Sequence, residues 1–108
     1  MRSTSIKGGF AYIVASRSMV LYTGVTSDLE KRIWQHRTKA LGEFTARYDV
    51  DRLMYYEFFE TLEAAIAREK QIKGWLRKMK LDLIARMNPG FVDLAPTLFD
   101  WAKEERRG

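Results

Sequence analysis

The chain has 108 residues, no cysteine and a formal net charge of +5 at pH 7. Its length fits a single domain that folds without covalent staples, and the lack of cysteine excludes disulfides and thiolate metal sites. A hydrophobic share of 46% and an aromatic share of 13% exclude a disordered chain. No segment is apolar and long enough for a signal peptide or a membrane span, so we expect a cytoplasmic protein. The positive charge favours a polyanionic partner, of which nucleic acid is the commonest.

Three short apolar segments predict the strands of a small sheet. Residues 10–15 (FAYIVA) and 19–25 (MVLYTGV) are rich in β-forming residues, and the three residues between them predict an antiparallel hairpin. Residues 53–59 (LMYYEFF) predict the third strand. Because neither hairpin strand alternates cleanly with polar residues, we expect helices to cover both faces of the sheet.

Capping residues predict where the first two helices begin and end. Ser27 and Glu30 fit a capping box that begins the first helix between the second and third strands, and we expect this helix to end near Ala40. Thr61 fits the cap of the second helix, and Gly74 fits its stop.

A third helix and a tail helix complete the predicted order. The third helix covers residues 75–87 and closes at Asn88-Pro89-Gly90, and a short helix is expected around residues 98–105. The tail either packs on the domain or meets a partner. The order β-β-α-β-α-α predicts an α/β sandwich in which a three-stranded antiparallel sheet is flanked by helices.

The first helix places a histidine on its buried face. At a hundred degrees per residue, His36 falls on the stripe of Leu29 and Ile33, and Arg32 lies at its edge. A lone histidine there is more often a satisfied core residue than a catalytic group. A lone arginine is more often solvated or paired. The tyrosine at the end of the preceding strand makes a joint site the stronger hypothesis.

Glu69 interrupts the apolar stripe of the second helix between Ile66 and Ile72. Burying a carboxylate costs several kcal/mol unless a cation compensates for it. One interpretation is an ion pair with Lys73, four residues later on the helix. The other is a pocket carboxylate for a hard divalent cation such as Mg²⁺, which keeps most of its waters while substrate phosphate oxygens complete its shell. The sequence leaves both open.

Two tyrosines belong to the paired strands of the hairpin. If Tyr12 and Tyr22 point to one face of the sheet, their phenols converge; alternatively, each is a core aromatic with a hydrogen-bonded hydroxyl. Gly24 is explained by a close approach of backbone or ligand near the end of the second strand.

The ordered set AYIVAS…LYTGVTSDLEKRIWQHR…AREKQIKGW resembles the GIY-YIG nuclease family, particularly its small stand-alone bacterial members. The resemblance runs from about residue 9 to residue 88. It implies one domain over residues 1–108, with a nuclease-like core at about 9–90 and a C-terminal tail at 91–108.

The resemblance assigns roles to individual residues. Tyr12 matches the tyrosine of the GIY element, and Tyr22 and Gly24 match the YIG element, in which Thr23 replaces isoleucine. Arg32 matches the helix arginine of the family, His36 matches the histidine one turn later, and Glu69 matches the metal-binding glutamate.

Two positions carry the resemblance less directly. Asn88 resembles a late asparagine that some members place near the phosphate, but it also fits a helix C-terminal residue before Pro89. Val25 stands where repair-type members often carry lysine, so cationic help must come from elsewhere.

The resemblance implies a metal-dependent endonuclease that hydrolyses phosphodiester bonds, DNA before RNA, in one step by water attack. It implies Tyr12, Tyr22, Arg32 and His36 as catalytic residues and Glu69 as the ligand of a single Mg²⁺ or Mn²⁺. Expected substrate contacts are Gly24, Lys73 and Asn88, and basic residues between 68 and 80 are expected to follow a phosphate backbone. DNA repair or recombination is the implied setting.

Several alternatives stay open at this point. A tyrosine is a poor base unless nearby positive charge lowers its pKa, and the sequence does not choose between the two phenols. A rival class is a catalytically weak or inactive nucleic-acid-binding module with the same fold. Another is an adaptor whose basic helix meets an acidic partner. The structure of the nucleic-acid substrate and the oligomeric state are also left open.

Overall fold

The computed structural model describes residues 8–38 and 47–105. It confirms the predicted three-stranded antiparallel sheet, with strand order β2-β1-β3. The elements in chain order are β1 (Gly9–Ala15), β2 (Leu21–Thr26), α1 (Leu29–Arg37), β3 (Arg52–Phe59), α2 (Leu62–Lys73), α3 (Arg77–Met87), α4 (Ala95–Leu98) and α5 (Asp100–Glu105).

Each face of the sheet packs against its own helices. On one face, Tyr12 and Val14 of β1 lie in a core cluster with Leu29 and Ile33 of α1. On the other face, a second cluster joins β1 and β3 to α2 and α3; its buried members are Ile13, Ala15, Met54, Tyr55, Ile72, Leu83 and Ile84. Helices on both faces explain why the hairpin strands do not alternate with polar residues.

The first helix begins one residue later than the predicted capping box. The N-cap is Asp28, whose Oδ1 accepts a hydrogen bond from the backbone N–H of Lys31 at 3.1 Å. Thr26 Oγ1 accepts a hydrogen bond from the backbone N–H of Asp28, and the N-cap is therefore one residue later than predicted. Ser27 is exposed. The helix ends at Arg37, and the predicted end at residue 40 lies outside the described residues.

The second helix is bounded as predicted. Thr61 Oγ1 accepts the backbone N–H of Ala64 at 3.1 Å, and Gly74 is the C-cap. The third helix begins at Arg77 rather than at residue 75, because Trp75 and Leu76 form the connection. Among residues 8–38 and 47–105, no helix is long and apolar enough to cross a membrane.

The tail packs on the domain and braces α1. The guanidinium of Arg37 pairs with the Asp93 carboxylate at 2.6 Å, and Asp93 Oδ1 also accepts the backbone N–H of Leu53. Trp101 Nε1 donates to the carboxylate of Glu30 at 3.1 Å. The tail thus fixes the helix that carries Arg32 and His36.

Candidate active site

Tyr12 and Gly24 face each other across the β1–β2 pair. A Cβ at position 24 would collide with the phenol oxygen and ring of Tyr12. The close approach predicted at Gly24 is therefore made by Tyr12, and the glycine leaves room for its ring. Because Tyr22 pairs with Val14, the alternation of side chains puts both phenols on the same face of the sheet.

His36 lies between the two phenols. Its Nε2 and the Tyr12 hydroxyl share a hydrogen bond of 3.0 Å, and both residues are almost completely buried, at 1% and 0% exposure. The Tyr22 ring contacts the imidazole edge to face, with 5.7 Å between ring centroids. Tyr22 itself is half-buried, so its phenol is the more accessible of the two.

Burial keeps the Tyr12–His36 pair uncharged at neutral pH. Burial raises the pKa of Tyr12 to about 12, and the Arg32 guanidinium only partly opposes this shift. Burial, and to a lesser degree Arg32, lowers the pKa of His36 to about 4. His36 Nδ1 is buried without a hydrogen-bond partner among the described residues, so an imidazolium would lack a second acceptor. For Tyr12, the positive charge of Arg32 lowers the pKa as expected, but the effect of burial is larger.

Glu69 is buried at the same site and is paired with Lys73. Its side chain is 9% exposed, and its Oε2 lies 2.6 Å from Lys73 Nζ. That ammonium lies 5.9 Å from the centre of the Tyr22 ring, and its hydrogen bond to Glu69 raises the pKa of Lys73. The negative charge of Glu69 in turn contributes to the raised pKa of Tyr12. Glu69 is therefore close enough to Tyr12 to act on it electrostatically, and the ion pair that the sequence suggested with Lys73 is present.

Arg32 opens onto a polar hollow at the start of α1. The hollow, called the Arg32 hollow below, has a volume of about 300 Å³ and is lined by Thr26, Ser27, Asp28, Lys31, Arg32 and Gln35. Arg32 is half-buried and lies on the same side of α1 as the site, since its charge acts on both Tyr12 and His36. A guanidinium at the edge of a solvent-filled hollow suits a phosphate oxygen.

Asn88 uses its side-chain amide within the fold. Nδ2 donates to the carbonyl oxygens of Met54 and Val92, at 3.2 and 2.7 Å, and Oδ1 accepts the backbone N–H of Val92. Asn88 is also the C-cap of α3. These contacts account for Asn88 as a helix C-terminal residue without a substrate.

Within the described residues, the site contains one carboxylate that could bind a metal ion rather than a cluster of metal-ligating side chains. No group of three or more His, Cys, Asp or Glu side chains in this part of the chain is arranged to hold a metal ion. Glu69 alone fits a hard cation such as Mg²⁺, which binds through one or two carboxylates and keeps its waters. Lys73 is the neighbour that such a cation would have to share Glu69 with.

The position of Lys73 beside Tyr22 was only partly foreseeable. The spacing of four residues predicts its pairing with Glu69, but nothing local to α2 indicates a phenol from β2 next to it. The Lys73–Tyr22 contact provides a cation near the phenol, which Val25 does not provide at the position in β2 where repair-type members often carry lysine.

The family comparison identifies the class of domain: a model described as the GIY-YIG catalytic domain matches residues 8–82. The chain belongs to the GIY-YIG family, whose nuclease domain implies a nucleic-acid substrate.

Within the family the chain is similar to UPF0213 proteins. One from Clostridium perfringens is 40% identical over 76 residues, which cover 70% of this chain and 82% of the relative. One from Staphylococcus saprophyticus is 38% identical over 76 residues, covering 70% and 93%. The solution NMR structure of a UPF0213 protein from Bacillus halodurans matches with a TM-score of 0.52 and 25% identity, over 78% of this chain and 89% of that one.

Proposed function

We propose that the protein is a metal-dependent endonuclease that hydrolyses DNA phosphodiester bonds by one-step attack of water. The observation that supports this most is the position of His36, hydrogen-bonded to Tyr12 and in ring contact with Tyr22. Two phenols and an imidazole in contact, with the charges of Arg32 and Glu69 near enough to act on Tyr12, form the kind of grouping that occurs at functional sites.

Different burial gives the two phenols different roles. Tyr22 is half-buried, so its oxygen is the one that meets the attacking water and accepts its proton. Tyr12 is completely buried and holds His36 in place, and His36 in turn orients the Tyr22 ring. The ammonium of Lys73 lies beside the Tyr22 ring and is the nearest cation to this phenol that the described contacts show.

The charges of the site suit a phosphodiester at its transition state. Arg32 binds the non-bridging oxygens, where negative charge develops. Glu69 would hold the divalent cation, Mg²⁺ or Mn²⁺, which would supply positive charge against the charge that develops in the reaction. Lys73 pairs with the Glu69 carboxylate and would have to release it to the cation.

Cations on the neighbouring elements supply contacts to flanking phosphates. Arg77 and Lys80 at the start of α3 line a hollow with residues 18–21 of the hairpin turn, directly before Tyr22. Arg68 is less available, because it pairs with Glu57 at 3.1 Å and stacks over Trp75. Such contacts carry no sequence preference and weaken with salt. DNA repair or recombination in the cytoplasm is part of the proposal because the family resemblance implies it.

The test is nicking of supercoiled plasmid with Mg²⁺ or Mn²⁺ by the wild type, Tyr22→Phe and the matched control Tyr48→Phe. Tyr48 is exposed and lies outside the site. Loss of a general base lowers the rate by about 10²–10⁴-fold, so Tyr22→Phe should nick that much more slowly while Tyr48→Phe stays near the wild type. Equal binding without nicking by all three forms would favour the inactive binding module, and absence of both would favour the adaptor.

A further inference from the structure

An aromatic hollow lies on the other flank of the α1 N-terminus from Arg32. It has a volume of about 470 Å³, and the rings of Phe10, Tyr56, Phe58 and Phe99 form its walls. This volume falls in the range of about 300–1,000 Å³ that holds small organic ligands. The mechanism proposed above uses none of these rings.

The hollow adjoins the Arg32 hollow, because Ser27 and Asp28 line both. Phe10 stands two residues before Tyr12 on β1, and therefore about 7 Å from it on the same face of the sheet. A strand whose phosphate lies at Arg32 would therefore have its neighbouring groups next to the aromatic hollow.

Glu30 lines the aromatic hollow but not the Arg32 hollow, so its carboxylate disfavours a phosphate in the aromatic hollow. Carboxylates also have acceptor sites for the exocyclic amino groups of bases, as they do with cytosine. Flat apolar walls with acceptors at the edge match the uncharged part of a nucleotide.

Phe58 is held in position although much of it faces solvent. Its ring is 56% exposed, yet it rests on Gly8, where a Cβ would meet the ring, and it contacts Phe10 edge to face at 5.2 Å. A fixed, half-exposed ring provides a stacking platform at low cost in side-chain entropy.

We infer that the aromatic hollow binds an unstacked nucleobase of the strand whose phosphate lies at Arg32. The inference rests on the proposed function and narrows its substrate to nucleic acid with unpaired bases, such as single strands, flaps or gaps, because a base within an intact duplex is not free to enter.

The probe is a single-stranded oligonucleotide with one 2-aminopurine, whose fluorescence is quenched by stacking, mixed with protein in EDTA to prevent cleavage. Base–aromatic stacking corresponds to a loss of roughly 5- to 150-fold in affinity when the ring is removed. Phe58→Leu should weaken binding by that factor and abolish quenching, while binding of intact duplex stays unchanged. Val92→Ala, which truncates a comparably exposed apolar residue outside the hollow, should behave as the wild type.

A second variant guards against misfolding of Phe58→Leu. Leu98→Ala removes an exposed side chain from the wall contributed by α4 and should also reduce quenching. Wild-type quenching that neither variant changes, or oligonucleotide binding without quenching, would overturn the base site while leaving the nuclease intact. Self-association of the wild type that Phe58→Leu disrupts would show a contact between copies instead. Wild-type protein that neither binds nor nicks nucleic acid would remove the proposed function, and the base site with it.

Discussion

His36 should titrate far below an ordinary histidine, and this can be measured without ambiguity because it is the only histidine in the chain. Its imidazole is 1% exposed, and burial lowers its pKa from 6.5 to about 4. The folded state therefore binds a proton less readily than the unfolded state. Stability from this group is fully present above pH 6.5 and is lost as the pH falls toward 4.

The size of the effect follows from the two pKa values. The pKa is 6.5 in the unfolded chain and about 4 in the folded one, so the unfolded state takes up the proton first as the pH falls. The unfolding free energy should therefore drop by about 2 kcal/mol from about pH 7.5 to about pH 5. The full difference, reached below both pKa values, is about 3 kcal/mol.

Two measurements check this prediction. An NMR titration of histidine-labelled protein should give a midpoint near 4. Urea unfolding of the wild type and of His36→Gln should be measured over the same pH range. The fall in unfolding free energy that comes from His36 should appear in the wild type only, and subtracting the two proteins removes the contribution of the carboxylates that both contain. A midpoint near 6.5, or the same slope in both proteins, would refute the buried Tyr12–His36 pair.

Two further substitutions test how the site is built and braced. Gly24→Ala places a methyl group against the Tyr12 ring, so urea unfolding should show about 1–3 kcal/mol of lost stability, as for overpacking; wild-type stability would disprove the contact. Asp93→Ala removes the 2.6 Å ion pair with the largely buried Arg37 and the acceptor of the Leu53 N–H, and should cost about 3–5 kcal/mol. The control Asp100→Ala removes an exposed carboxylate and should leave the unfolding free energy unchanged; equal losses for both would argue against the brace.

Features set by neighbouring residues were predictable from the sequence. The three strands, the Thr61 cap and the Gly74 stop depend on local composition, and the structure has them close to the predicted positions, except that β2 begins at Leu21 rather than at residue 19. The N-cap of α1 is Asp28 rather than the predicted Ser27, because the side chain of Thr26 in the preceding strand accepts a hydrogen bond from the backbone N–H of Asp28.

Features set by distant segments were not predictable. The aromatic hollow joins rings from β1, β3 and the tail, and the brace joins Arg37 to Asp93 across 56 positions of the chain. The pKa of Tyr12 also depends on packing, since Arg32 is present as expected yet burial outweighs its charge.

The central claim is that Glu69 and the phenols beside it form one hydrolytic site. The most direct test is the initial rate of plasmid nicking in Mg²⁺ by Glu69→Gln, compared with Glu63→Gln on the exposed first turn of the same helix. We expect at least about a 100-fold loss for Glu69→Gln, as for removal of a group that stabilises transition-state charge, and the wild-type rate for Glu63→Gln. Nicking by Glu69→Gln at the wild-type rate would show that Glu69 does not belong to the hydrolytic site.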